Sequence, residues 1–167
     1  LLFVASTFTP WQGLDVILNQ VSQSNDSFVL HIVGHVEQAH QLEFVDSRVM
    51  FHGSLDSSEI RELAARCWVG ISCLALDRKG MKHACALKVS EYLDLGLPVF
   101  ASYGESFPLE FVYYKQGAPI LKPMLDYAIS MRSIQRDHVA RAAQSYIDKK
   151  LLLANLNRWL NQYYYAD

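Results

Sequence analysis

Short strand-like runs alternate with stretches of helical spacing along this chain, and that alternation leaves few folds open. The runs are Leu1–Ser6, Phe28–Gly34, Arg48–Gly53, Trp68–Ala75 and Val99–Ser102. Leu1–Ser6 is continuously apolar, as a strand covered on both faces requires. Between the runs lie helix signatures. Thr9, Pro10 and Gln12 read as N-cap, first-turn proline and capping-box partner ahead of Leu14, Val16, Ile17, Leu18 and Val21. Asp56 and Glu59 read as a second capping box, opening a helix that runs to Cys67. Leu87–Leu95 forms a third helix, closed by Gly96 with Pro98 just beyond. Val36–Phe44 reads as a short helix and Phe107–Ile120 as a short strand or two. Met124–Met131, Ser133–Tyr146 and Asp148–Tyr165 read as helices, the last with Leu152, Leu153, Leu156, Trp159, Leu160 and Tyr163 on one stripe. Strands alternating with helices predict an α/β fold with a doubly wound parallel sheet, Rossmann-like. Ligands of such sheets sit beyond the carboxyl ends of the strands, so the loops after Ser6, Gly34, Gly53, Ala75 and Ser102 are the candidates for a site.

Composition narrows the function classes. The 167 residues suit one domain, and 51% hydrophobic residues supply its core. A net charge of -2 argues against a broad nucleic-acid-binding face. The three cysteines match no zinc spacing and read as reduced thiols of a cytoplasmic protein. His35 and His40, five apart, do not share a helix face, so no metal site is expected. No apolar run approaches the roughly 20 residues of a membrane helix. The chain opens inside a strand, on Leu1, and reads as a piece of something longer.

The third helix starts without a side-chain cap. His83-Ala84-Cys85-Ala86 offers no Ser, Thr, Asp or Asn, yet a helix start leaves several N–H groups in need of acceptors. Water is one answer and an anion the other: small Ala84 and Ala86 let a phosphate approach, while Lys88 and the loop residues Arg78, Lys79 and Lys82 add positive charge. One turn on, Glu91 can accept from a pair of sugar hydroxyls, or stand as an exposed helix charge. Cys85 at the helix start is a minor candidate nucleophile.

Leu87-Lys88-Val89-Ser90-Glu91-Tyr92 through Gly96-Leu97-Pro98 resembles the "LK-x-x-EY-x-x-x-G-x-P" segment of family 4 glycosyltransferases that build capsular and lipopolysaccharide chains. Gln12-Gly13-Leu14-Asp15 is similar to the "KGLD" or "HGLD" ending of that family's first loop. Val33-Gly34 and Val49-Met50-Phe51-His52-Gly53 stand in the order of its "IVG" and "V-x-F-x-G" strands. The resemblance implies that residues 1–167 are one half of a two-domain GT-B enzyme, the C-terminal, donor-binding half, without its N-terminal domain and with 148–167 as a terminal helix. It implies retaining transfer from a nucleotide-diphosphate sugar to a glycan or lipid-linked acceptor, with no metal or other cofactor. It also implies a cytoplasmic enzyme, with room for peripheral association at the inner face of the membrane. Backbone N–H groups from Ala84 through Leu87, Cys85 and Ala86 included, would hold the diphosphate. Glu91 would hold the ribose, and the base would rest near Ser54 and Leu55.

Two departures stand out. The family's first glutamate, eight positions before the second, corresponds here to His83, which can still meet a donor-sugar hydroxyl. The basic pair of its first loop corresponds to Thr7 and Gln12. Arg78, Lys79 and Lys82, in the loop entering the phosphate helix, are therefore expected to supply the charge that the first loop lacks. The rival expectation is a non-catalytic docking module with a degenerate site.

Overall fold

The computed structural model describes residues 1–37 and 44–164, side chains at 163 and 164 aside. Its six strands are β1 (Leu2–Thr7), β2 (Leu30–His35), β3 (Val49–Phe51), β4 (Gly70–Ile71), β5 (Val99–Ala101) and β6 (Tyr114–Gln116). All pair in parallel, in the order β3-β2-β1-β4-β5-β6. The helices are α1 (Leu14–Gln23), α2 (Ser57–Ala64), α3 (Leu87–Asp94), α4 (Leu121–Met131), α5 (Arg136–Ile147) and α6 (Lys149–Tyr164). Strand order reverses between β1 and β4, so a crevice opens beyond their carboxyl ends. This is the expected doubly wound, Rossmann-like sheet.

The buried apolar side chains of the strands divide between two cores. Phe3, Ile32, Ile71 and Phe100 face α1 and α4, where Ile17, Val21, Met124 and Leu125 meet them. Leu2, Val33, Val99 and Ala101 face the opposite way, onto Leu63, Val89, Leu93 and Val139 of α2, α3 and α5. The alternation of Leu2 and Phe3 between the two cores is why β1 reads as apolar throughout.

Some elements depart from expectation. The Thr9–Gln12 capping box does not form: Pro10–Gln12 is a 3₁₀ turn without a side-chain cap, and α1 begins after Gly13, whose φ is +74°. Thr9 Oγ1 and Gln12 Oε1 are buried without a partner among the described residues. The Asp56–Glu59 box does form, with Asp56 accepting from the Ser58 and Glu59 N–H groups and Glu59 from that of Asp56. The expected helix at Val36–Phe44 lies mainly outside the described residues, as do His40 and the Tyr163 side chain. The Phe107–Ile120 segment yields one short strand, β6. On α6, Leu152, Leu153, Leu156 and Trp159 are exposed.

The fourth strand is far shorter than its apolar run. Beyond Ile71 the Tyr92 hydroxyl enters between β1 and β4, accepting from the Val4 N–H at 2.7 Å and donating to Ile71 O at 3.3 Å. The chain then turns outward, and Leu74 and Ala75 donate to the carbonyls of Gln12 and Trp11. Gly70 makes this possible, because a Cβ there would stand 2.6 Å from the Tyr92 ring.

His31 of β2 and His52 after β3 share a hydrogen bond at 2.9 Å, Nδ1 to Nε2. Burial above all, with His52 and Arg66 nearby, lowers the His31 pKa to about 4. Its ring is therefore neutral in the fold and protonated in the unfolded chain between about pH 4 and pH 6.5. Stability is expected to fall as pH drops through that window. Solvent screening at this half-buried ring limits the loss to about 1–2 kcal/mol. Chemical denaturation across that window should show the slope, and His31→Gln should flatten it. An unchanged slope in the variant would remove His31 as its source.

Candidate functional site

The crevice at the switch point is walled by three segments tied to one another. The first is the Thr7–Gly13 loop after β1. The second is the stretch after β4, which carries a 3₁₀ turn at Leu76–Lys79 and leads into α3. The third follows β5.

The basic stretch packs on the first loop. Arg78 donates to both Asp15 oxygens, at 2.9 and 2.8 Å, and to Pro10 O at 2.7 Å. The Arg78 guanidinium beside Asp15 holds its carboxyl below the usual range. Lys79 Nζ lies 3.6 Å from the centre of the Trp11 ring. The Lys82 side chain is exposed and has no partner among the described residues. Of the three cations proposed from sequence, Arg78 is thus paired with a carboxylate, Lys79 covers an aromatic face, and Lys82 faces solvent. Thr7 ends β1 at the rim, and Gly13 seats α1 closely enough that a Cβ would be 2.9 Å from that of Leu74.

Helix α3 turns one face to this crevice and another away from it. Lys88 and Tyr92, four apart, turn inward. Lys88 Nζ donates to Val4 O at 2.9 Å and lies 5.4 Å from the centre of the Phe3 ring. Burial lowers its pKa. The two polar tips thus occupy the parting of β1 from β4. Leu87, Ser90, Glu91 and Asp94 form the opposite, outward stripe. They line a groove of about 570 Å³ shared with Gln144, Ile147 and Asp148 at the junction of α5 and α6. Glu91 is exposed, with no side-chain partner among the described residues.

The helix start is capped from a distance. Ala86 donates its N–H to Glu105 Oε1 at 3.0 Å, whereas the Leu87 and Lys88 N–H groups have no acceptor among the described residues. Glu105 stands in the loop after β5, where Tyr103 OH approaches the same oxygen at 3.4 Å and buried Ser72 holds that hydroxyl at 2.8 Å. Burial pushes the Glu105 carboxyl up, against the lowering pull of these two donors. His83 and Gly104 form a parallel bridge, with Gly104 donating to Lys82 O and Ala84 to Gly104 O. A Cβ at Gly104 would stand 2.4 Å from His83 Nδ1, so glycine there seats the imidazole.

Other sequence candidates lie around this centre. Cys85 is exposed and free. Ser54 is exposed and Leu55 packs against the second core at the end of β3, two strand spacings or about 10 Å from β1. Glu105, Tyr103 and Ser72 were not legible as site residues. The capping bond spans 19 positions and follows no local spacing rule. Among the described residues no group of three or more His, Cys, Asp or Glu side chains is placed to hold a metal, and no helix is long and apolar enough to cross a membrane.

A six-stranded parallel sheet of this order, covered on both faces and parted at β1 and β4, defines a Rossmann-like α/β half-domain. Residues 1–118 match the model for glycosyl transferases group 1, and the chain belongs to that family. Among curated protein sequences there is no match. Solved structures share the fold. Anabaena HepE in complex with UDP is 16% identical, with a TM-score of 0.67 over 96% of this chain and 48% of that one. A glycosyltransferase from Rickettsia africae is 16% identical, with a TM-score of 0.63 over 96% and 47%. Sucrose-phosphate synthase from Thermosynechococcus elongatus is 14% identical, with a TM-score of 0.65 over 99% and 46%. The chain spans about half the length of each of these.

Proposed function

We propose that residues 1–167 are the donor-binding half of a family 4 GT-B glycosyltransferase of the capsule and lipopolysaccharide type. In this reading a nucleotide-diphosphate sugar is the donor, and transfer proceeds with retention and without a metal. The acceptor is a glycan or lipid-linked glycan, met by a second domain. The enzyme works in the cytoplasm, at or near the inner face of the membrane.

One observation carries the reading. The start of α3 offers the Leu87 and Lys88 N–H groups at the switch point; one turn on, the unpartnered carboxylate of Glu91 stands on the outward stripe beside α5 and α6. The positive helix end and these donors suit a diphosphate, and a carboxylate at that offset suits a pair of ribose hydroxyls. Lys88, Lys79 and Lys82 supply positive charge, and Arg78 positions the loop through Asp15. His83 faces the donor sugar, and Thr7, Gln12, Ser54 and Leu55 line the remaining approach. The complex of HepE with UDP-glucose is consistent with such a donor.

Calorimetric titration of the protein with UDP, GDP and their sugars tests this. At least one is expected to bind in the micromolar to millimolar range, and Glu91→Ala should weaken it about tenfold, the loss of one charge-assisted contact of about 1.4 kcal/mol. No response to any of them would favour the second reading, a non-catalytic docking module. The Glu105 carboxylate on the Ala86 N–H, and neutral Thr7 and Gln12 in the first loop, speak for that reading.

A further inference from the structure

The oxygen that caps α3 belongs to a carboxylate in the position where a ligand phosphate would seek the same helix end. Glu105 is held there by a buried frame. Its Oε1 accepts the Ala86 N–H at 3.0 Å and is approached by Tyr103 OH at 3.4 Å. That tyrosine is 1% exposed, its hydroxyl is bound to fully buried Ser72, and its carbonyl accepts Tyr114 OH at 2.5 Å. A negative charge so fixed stands beside the free Leu87 and Lys88 N–H groups.

We propose that Glu105 is a charge filter, a specificity-determining residue that disfavours a free nucleoside diphosphate relative to its sugar ester. The inference rests on the donor site proposed above. The two ligands share base, ribose and both phosphates but differ in charge at the outer one. In the sugar ester that phosphate is a diester with a single ionisation. In the free diphosphate it is a monoester whose second proton leaves near pH 6, so it carries close to one further negative charge at pH 7.5. A carboxylate bound to the N–H of Ala86, the residue just before the helix, repels that extra charge. The reaction turns the ester into the free diphosphate, so the same repulsion speeds departure of the product.

Glu105→Gln tests the filter, because the amide oxygen still accepts the Ala86 N–H while the charge is gone. Affinities for UDP and UDP-glucose, and for GDP and GDP-mannose, are measured at pH 7.5 with the free nucleoside as a neutral control. In the pair that binds, the variant is expected to shift the ratio toward the free diphosphate by about 5–10-fold and to leave nucleoside affinity unchanged. Glu105→Asp keeps the charge and should keep the ratio near that of the parent, which covers a Gln variant that fails to fold. A Gln variant with an unaltered ratio, or an Asp variant with a shifted one, overturns the filter and reduces Glu105 to a helix cap. Absence of binding by either pair to the parent protein overturns the donor-site reading, and the filter with it.

Discussion

Gly34→Ala is expected to lower the melting temperature of the domain sharply. Gly34, the penultimate residue of β2, has φ +124°, where side chains other than hydrogen are strained. An added Cβ would lie 1.5 Å from the Ala5 carbonyl oxygen and 2.7 Å from its carbon, both backbone atoms with nowhere to retreat. The close approach falls where β1 shifts register against β2, between Val4 and Thr7. Strain and overlap together should cost more than about 4 kcal/mol, a large share of the roughly 5–15 kcal/mol that holds a domain of this size. Gly53→Ala provides the contrast. Its φ is also positive, +66°, but nothing stands within 4 Å of the added methyl, so only about 1–2 kcal/mol should be lost. Thermal and urea unfolding followed by circular dichroism would separate the two. Equal melting temperatures for both variants would show that the close approach to Ala5 is not a constraint.

Tyr92→Phe is expected to cost about 2 kcal/mol while leaving the ring in place over Gly70. The residue is 2% exposed, and burial pushes its phenol far above the usual range. Removing the hydroxyl takes away the acceptor of the Val4 N–H between β1 and β4, and an unsatisfied buried donor costs about 1–3 kcal/mol. The loss should appear as a lower urea midpoint with an unchanged slope. Hydrogen exchange at the Val4 amide should accelerate with it. If the midpoint moves by less than about 0.5 kcal/mol, another group satisfies Val4 and the tyrosine serves by its ring alone. The same substitution has a functional reading. Lys88 holds the next carbonyl of β1, so a loosened parting of the strands also loosens the floor under the α3 start.

Much of the architecture was legible because its signals are local. Two-sided burial makes β1 apolar throughout, and the Asp56–Glu59 box announces α2 from four consecutive residues. Glycine and proline after Leu95 stop α3 where expected. The misread elements have distant causes. The Thr9–Gln12 pattern carries the letters of a capping box, yet the Gln12 and Trp11 carbonyls accept from Leu74 and Ala75, and the αL conformation of Gly13 separates the turn from α1. The run Trp68–Ala75 is apolar enough for a long strand, but β4 stops at Ile71 because a phenol 21 positions further on enters beside it.

The candidate site divides along the same line. The missing side-chain cap ahead of Leu87, the outward stripe that carries Glu91 and the small residues at Ala84 and Ala86 follow from residue order and helical period alone, since both act over a few positions. That the first orphan N–H is taken by Glu105, that Arg78 turns to Asp15, and that Lys88 and Tyr92 face the parting of two strands required the folded chain. Those partners lie between 19 and 88 positions apart, and none of the pairings obeys a period. Only the packing of one segment on another sets which donor meets which acceptor.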